Sequence, residues 1–420
     1  MKICVLGAGV LGITSAYELA KLGHDVTVIE RQPDAARECS YANGGQLSYS
    51  HSEPWANPHV FPKLFKWMWQ EDAPLVLRFN GDPHMMRWGL LFLLNCLPAK
   101  ARHHSEVMLR LGMYSKKKMA ELMADTNVEF GHLAKGIIHV FDDAKEFENA
   151  KRQAEFQHTL GCDETVLTTE QAIAMEPSLA HANKPIVGAI HAPMDESGDI
   201  HVFTRNLAAH IAERYGVKLR YNTTIRRIHK RDKAISHVEL ADGEFLTDFD
   251  AYVMCMGAPS AIFLRQIGLY VPIYPMKGYS ITFPANDDTP TVSITDTSSK
   301  QVYTRLGNRM RVAGTAEFAG YNDAVRKVRI EPLLRGVNAL FPKADLSSVE
   351  EWACLRPSTP DGPPMIGTTP LSNLYMNTGH GTLGWTQAAG SARLLADVVE
   401  GKPTEIPLTG LEIYRNLIKL

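Results

Sequence analysis

The first thirty residues restrict this chain to a small set of folds. From Lys2 to Arg31 they read KICVLGAGVLGITSAYELAKLGHDVTVIER. The apolar run Ile3 to Leu6 suits a strand buried on both faces, and Gly7, Gly9 and Gly12 follow it at once in the spacing G-x-G-x-x-G. Val10 to about Leu22 has the amphipathic spacing of a helix, Gly23 stops it, and Asp25 to Ile29 is a second strand closed by Glu30. In this order each glycine has a job. Gly7 makes the tight turn, Gly9 lets the backbone approach a pyrophosphate, and Gly12 lets the helix lie close on the strand. The start of the helix offers free N–H groups and a positive dipole end to phosphates. Glu30 is placed to accept hydrogen bonds from the two hydroxyls of an adenosine ribose. The segment predicts a Rossmann-type α/β domain with Val5, Gly7, Ala8, Gly9, Val10, Leu11, Gly12, Glu30 and Arg31 against a dinucleotide.

A length of 420 residues exceeds one ordinary domain. Gln32 to Ser52 is a loop containing SYANGGQLS (Ser40 to Ser48), where Gly44 and Gly45 permit backbone geometry that other residues resist. A loop this long after the second strand points to a cover over a bound ligand. Val107 to Ala124 and Phe147 to Leu160 read as helices, with GIIHVF (Gly136 to Phe141) as a strand between them. Ile200 to Tyr215 is a helix, and Asp242-Gly243 between two short strands is a type I′ hairpin signal. Ala251 to Met256 is a buried strand ending in Gly257. Residues 271 to 318 alternate apolar and polar, as antiparallel strands do, and Val325 to Phe341 is a helix. The division expected is a discontinuous nucleotide-binding domain of residues 1–56, 164–270 and 350–420. An interleaved α+β substrate domain, 57–163 and 271–349, is built on an antiparallel sheet.

A net charge of −2 gives no electrostatic footprint for nucleic acid. The six cysteines, Cys4, Cys39, Cys96, Cys162, Cys255 and Cys354, have neither metal-type nor disulfide-framework spacing, which points to no metal and to a reducing, cytoplasmic setting. No apolar run is long enough to span a bilayer. WGLLFLLNCLP (Trp88 to Pro98) reads as a core helix. With Phe61, Phe65, Trp67, Met68 and Trp69 it is also a candidate patch for peripheral contact with the inner face of a membrane.

The tail carries the more specific motifs. Cys354 to Gly367 reads CLRPSTPDGPPMIG, and Asn377 to Trp385 reads NTGHGTLGW before a helix from Thr386 to Val399. Together with GAGVLG, SYANGGQLS and MCMGAP (Met254 to Pro259), these stretches resemble the FAD-dependent amine and D-amino acid oxidoreductases. That family includes D-amino acid oxidase, glycine oxidase and monomeric sarcosine oxidase. The resemblance covers essentially the whole chain. It implies FAD, held without a covalent bond, and adds Asn43, Gly44, Gly45, Gln46, Ile225, Gly257, Gly379, His380, Gly381, Thr382 and Leu383 to the cofactor contacts. In sarcosine-oxidase-like relatives the cysteine in the place of Cys354 is bonded to the flavin, which makes Cys354 a candidate attachment point.

The resemblance also implies a reaction. Arg356, in the L-R-P triplet, matches the arginine that binds substrate carboxylate in glycine-oxidase-like members, and a guanidinium suits that task by its planar, two-pronged geometry. His380 falls beside the flavin ring, with a proton role left open. Of Lys277 and Tyr279 in MKGYSITF, one and not both is expected to face flavin or substrate, and Gln46 is expected to line the substrate pocket. The activity implied is oxidation of a D-amino acid to its imino acid, with hydride passing from the α-carbon to flavin N5. Water then gives the 2-oxo acid and ammonia, and the electrons go on to a quinone or another acceptor. No general base is required, but the amine must be neutral, so the rate should rise with pH to a plateau. An amino acid oxidase, an L-amino acid deaminase and a secondary-amine oxidase remain as alternatives on the same scaffold. Arg356 disfavours a flavin-binding protein without turnover.

Overall fold

Lys2–Leu6 is a central strand of a parallel sheet in the computed structural model, which describes residues 1–50, 53–58, 71, 73–78, 81–159 and 161–415. Phe61, Phe65, Trp67, Met68 and Trp69 of the expected surface patch lie outside the described residues. The order across the sheet is Met365–Thr368, Leu374–Thr378, Ala251–Met254, Lys2–Leu6, Asp25–Ile29, Lys218–Arg220. All pairings are parallel except the first, at the edge. Side chains alternate across a strand. Ile3 and Val5 therefore enter a core beneath the helices Val10–Lys21, Pro98–Thr126, Ile200–Tyr215 and Gly384–Val399. Cys4 and Leu6 enter a second core on the opposite side, beneath Ile225–Arg231, Ala234–Leu240, Phe245–Leu246 and the helix Ser260–Gln266. Burial on both faces is why the first strand reads as a continuous apolar run.

A second, largely antiparallel sheet runs in the order Glu350–Ser358, Tyr274–Pro284, Arg309–Phe318, Gln301–Leu306, Ser293–Asp296, Ile137–Phe141, Gly188–Ala192, Thr165–Leu167, and Leu75–Leu77 also pairs with Arg309–Phe318. Tyr279, Ile281, Tyr303 and Val312 point to one face, where the helix Lys327–Leu340 covers them with Ile330, Leu333 and Val337. The other face turns towards the nucleotide-binding layer. There it receives the loop after the second parallel strand: Ser280 Oγ donates to the Ala42 carbonyl at 2.8 Å, and Arg311 Nη1 to the Asn43 carbonyl at 3.1 Å.

The expected division of the chain needs correction at three places. Thr165–Leu167 and Gly188–Ala192, assigned to the nucleotide-binding part, pair beside Ile137–Phe141 in the antiparallel sheet. Glu350–Ser358, assigned likewise, is the edge strand beside Tyr274–Pro284. In the other direction, the helix Pro98–Thr126 lies outside the substrate part, since Val107, Leu111, Tyr114, Met119 and Leu122 enter the core of the parallel sheet. A short apolar strand or a helical stripe shows that it has a buried face and not which sheet buries it.

Two local readings also change. Trp88 to Pro98 is not a core helix throughout. The helix is Pro83–Asn95, with Met85, Trp88 and Phe92 buried and Met86, Leu90, Leu93, Leu94 and the following Leu97 exposed. Of Asp242 and Gly243 only the glycine has a left-handed φ (92°), so the turn is not type I′, which needs both.

Candidate active site

Two helix starts meet at the centre of the molecule. Gly9 is the N-cap of Val10–Lys21 and supplies no side-chain cap; the Val10 N–H is met by Ser40 Oγ at 3.1 Å. Gly384–Val399 also begins without a side-chain cap, and a β-carbon on Gly384 would lie 3.5 Å from Leu11 Cδ2. Asn377 Nδ2 donates to Ser15 Oγ at 2.9 Å and ties the strand before the last helix to the first helix. The amino-terminal glycine turn and the NTGHGTLGW stretch thus form one junction, with two positive dipole ends side by side.

The glycines of the turn divide by what surrounds them. A β-carbon on Gly12 would stand 1.9 Å from the Gly7 carbonyl oxygen, and one on Gly7 would stand 2.8 Å from the Cys255 carbonyl, so helix, turn and the end of the strand Ala251–Met254 close on each other without side chains. Gly9 instead meets only Ser40 Oγ, at 3.5 Å, and Gly257 and Gly381, both left-handed, face open space. The Glu30 carboxylate accepts from the N–H of Ala8 at 2.8 Å and of Gln32 at 2.9 Å, and burial raises its pKa against those bonds. A half-buried acid at the end of the second strand, an open backbone at Gly9 and two uncapped helix starts fit a dinucleotide running from Glu30 towards the second helix start. Arg31 pairs with Glu38 at the rim. The side chain of Val5 lies wholly in the core and faces no cleft, because it falls on the helix-covered side of its strand. Ile225 packs near Leu6 and Ile29 beneath the opposite face.

The loop carrying Asn43, Gly44, Gly45 and Gln46 is pressed on the antiparallel sheet. Asn43 Oδ1 accepts from the Gly45 N–H at 2.8 Å, and Gly45 is left-handed (φ 78°). A β-carbon on Gly44 would stand 2.7 Å from Val302 Cγ2, so only glycine lets the loop lie this close. The Gln46 amide donates to Ser293 Oγ at 3.0 Å and Thr295 Oγ1 at 3.1 Å, which fixes the loop to the sheet.

Arg356 reaches the same space from the edge strand. It is paired with Met276 and lies on the face of the sheet that receives the loop. Its guanidinium lies across Gly278: a β-carbon there would be 2.4 Å from Cζ and 2.5 Å from Nε and Nη2. Among the described residues it has no carboxylate partner. Trp352 and Cys354 precede it on the same face, and the Trp352 ring is tilted on Tyr41 with centroids 4.7 Å apart. Beside Arg356 a cleft is lined by Trp55, Met276, Ser358, His380, Thr382 and Leu383.

Two expected catalytic groups do not reach this cleft as acids or bases. Lys277 and Tyr279 are two residues apart and share a face; both turn to Glu317, Lys277 Nζ at 2.8 Å and Tyr279 OH at 2.8 Å, on the side covered by Lys327–Leu340. The expectation that one of them faces the site fails because residues i and i+2 on a strand point the same way. His380 is buried, with Nε2 at 2.8 Å from Ser391 Oγ inside the last helix. Burial, followed by the charge of Arg415, lowers its pKa to about 3, so the ring is the neutral imidazole and not the imidazolium. Its Nδ1 has no partner among the described residues. Gly379 (φ 85°) and Gly381 (φ 54°) carry the turn that holds it, and the Gly381 N–H bonds the Pro357 carbonyl, joining this turn to the Arg356 strand.

Gly278, Ser40, Arg311 and Cys39 are the site residues that sequence reasoning missed. Gly278 in the middle of an alternating strand was the one legible signal, since a glycine there marks a close approach by another group. Arg311 and Cys39 act through partners hundreds of residues away, and Ser40 through Val10 on the first helix.

Comparison with known proteins agrees with this geometry. The family model described as "FAD dependent oxidoreductase" matches residues 2–398. A D-amino acid dehydrogenase of Paramagnetospirillum magneticum is 46% identical over 419 residues, covering 99% of each chain. One of Dechloromonas aromatica is 44% identical, over 96% of this chain and 98% of the relative. Among solved structures, glycine oxidase from Bacillus cereus superposes with a TM-score of 0.76 at 21% identity, over 100% of this chain and 99% of that one. L-amino acid deaminase from Proteus vulgaris superposes with a TM-score of 0.71 at 18% identity, over 98% and 93%. At these identities the two structures speak to the fold.

Proposed function

Because this chain belongs to the FAD dependent oxidoreductase family, we propose that the cleft beside Arg356 oxidises D-amino acids to 2-oxo acids and ammonia. The observation that carries the reading is a guanidinium that has, among the described residues, no carboxylate partner and is laid across Gly278 on the face of the sheet that receives the loop. Relatives named as D-amino acid dehydrogenases at more than 40% identity support the choice of substrate. The chemistry supplied by FAD when bound is acceptance of a hydride from the substrate α-carbon.

The protein's part is binding and orientation. Arg356 holds the carboxylate in a two-pronged pair, and Trp55, Met276 and Leu383 bound the space left for the side chain. No residue need remove the α-proton, and the neutral, helix-bound His380 is consistent with that. Glu30, the turn from Gly7 to Gly12, and the segments Asn43–Gln46 and Gly379–Leu383 hold the cofactor by hydrogen bonds and dipoles, without a covalent bond at Cys354. The parallel sheet with its helices, Pro98–Thr126 included, acts as the cofactor-binding part, and the antiparallel sheet as the substrate-binding part. Electrons leave to a quinone. Among the described residues no helix is long and apolar enough to cross a membrane. The exposed Met86, Leu90, Leu93, Leu94 and Leu97 offer a shallow apolar face for resting on one, at its cytoplasmic side.

The test is an anaerobic titration of the purified holoenzyme with D-alanine, D-proline and L-alanine in turn, read at the flavin band near ~450 nm. Bleaching by D-isomers alone, with colour returning slowly in air and fast with a quinone, is the expected result. Bleaching by L-alanine alone overturns the stereochemistry, and immediate return of colour in air overturns the acceptor.

A further inference from the structure

The cleft beside Arg356 carries one charge that the reaction does not call for. Residues 53–56 and 380–383 supply most of its lining, and the rest is neutral, chiefly Met108, Met276, Ser358 and Thr359. His380 is neutral, so Glu53 is the one charged group among the described residues that line it. The segment that brings Glu53 there is anchored on both sides of Trp55. Pro54 is buried on Gly362 (φ 105°), where a β-carbon would stand 2.9 Å from Pro54 Cβ and 2.9 Å from Met108 Sδ. Ala56 is buried in the cluster that holds Trp88 and Met276, and Asn57 Nδ2 donates to the Pro54 carbonyl at 3.0 Å. Between these anchors Glu53 and Trp55 stay exposed, the indole by 38%. Among the described residues Glu53 has no hydrogen bond and no ion pair.

Resting on the role given to Arg356 above, we propose that Glu53 is a specificity-determining residue. It selects among D-amino acids by the charge of the side chain, favouring an ammonium or guanidinium and disfavouring a carboxylate. With the α-carboxylate held by Arg356, the substrate side chain is left to the cleft. Met108, Met276 and Trp55 suit an aliphatic stem there. A cation at the end of that stem meets an uncommitted carboxylate and an aromatic face, the two groups that recognise ammonium and guanidinium ions. A neutral side chain of the same shape gains the apolar contact alone. A side-chain carboxylate meets like charge, which acts as a repulsive element against acidic substrates. Because Glu53 is exposed, solvent and salt screen the pair. The charge therefore sets a preference among substrates and is not a requirement for turnover.

The test is anaerobic stopped-flow reduction of the holoenzyme flavin by two pairs of substrates alike in shape and different in charge, D-arginine with D-citrulline and D-glutamate with D-glutamine. The expected kcat/KM is about threefold higher for D-arginine than for D-citrulline, the scale of one exposed ion pair, and lower by about the same factor for D-glutamate than for D-glutamine. Both ratios should fall towards one in about 1 M sodium chloride. In Glu53→Gln both should move to about one, and in Glu53→Lys both should invert. A merely structural part for Glu53 would lower all four constants together and leave the ratios alone, which overturns the proposal, as does a wild-type preference for D-citrulline. No reduction by any D-amino acid overturns the reaction assigned above and this proposal with it. Reduction with ratios that Glu53→Lys leaves unchanged overturns this proposal alone.

Discussion

Gly278→Ala separates the positioning of Arg356 from the stability of the sheet. Gly278 lies in a strand and has no left-handed φ, so its backbone accepts alanine without strain. The three atoms nearest a β-carbon there are Cζ, Nε and Nη2 of Arg356, at 2.4 to 2.5 Å, and ordinary contact begins at 3.4 Å. The guanidinium must therefore move by about 1 Å. It is the far end of a flexible side chain, so the fold should keep its stability to within about 1 kcal/mol. A displacement of ~1 Å at a group that orients the reacting bond costs on the order of 100-fold in rate, or ~2.7 kcal/mol. Anaerobic stopped-flow reduction of the flavin by D-alanine should show kcat/KM down by about that factor, with an unchanged melting curve. Arg356→Gln should lose as much or more, since it removes the charge as well. Wild-type kinetics in both variants would refute the role given to Arg356, and a fall in melting temperature matching the fall in rate would return Gly278 to a purely structural part.

Three further outcomes follow from the geometry. Tyr279→Phe removes the hydroxyl from Glu317 and should cost about 1 kcal/mol in urea unfolding, while kcat/KM stays within about twofold; a large loss of rate would return Tyr279 to the site. His380→Asn should leave the rising pH profile of flavin reduction in place, because the neutral ring with a pKa of about 3 does not titrate in the working range; a shifted inflection would show a proton role. Asp195 is fully buried beside Ser50, and burial raises its pKa to about 6. A raised folded pKa means the folded state binds the extra proton, so this contribution is complete below about 4 and is lost as pH rises through about 6, by ~3 kcal/mol. Melting temperatures of Asp195→Asn between pH 4 and 7 should lack that decline, and curves parallel to wild type would sink the assignment.

What the sequence determined by itself is local and periodic. The strand, glycine turn, helix and strand up to Glu30 are set by residues within thirty positions of each other, as are the left-handed turns at Gly45 and Gly379. The helices around Val107, Phe147 and Val325 were readable from their spacing, with ends displaced by a few residues or, at Pro98, by nine. The motifs holding Arg356 and His380 were legible as motifs. The direction of each side chain was not, because it depends on which partner strand fixes the register. The same alternation that made Tyr274–Pro284 readable as a strand puts Gly278 under Arg356 and turns Lys277 and Tyr279 to Glu317, and the sequence carries no mark of which face is which. Tertiary structure alone decided that Glu350–Ser358 leaves the nucleotide-binding sheet to border the other one. It alone brought Leu11 to Gly384, Ser40 to Val10 and Cys39 to Leu355. Contacts of this kind join segments up to hundreds of residues apart, and no short-range pattern records them; they exist only once both sheets have closed on the loop between Glu30 and Gln46.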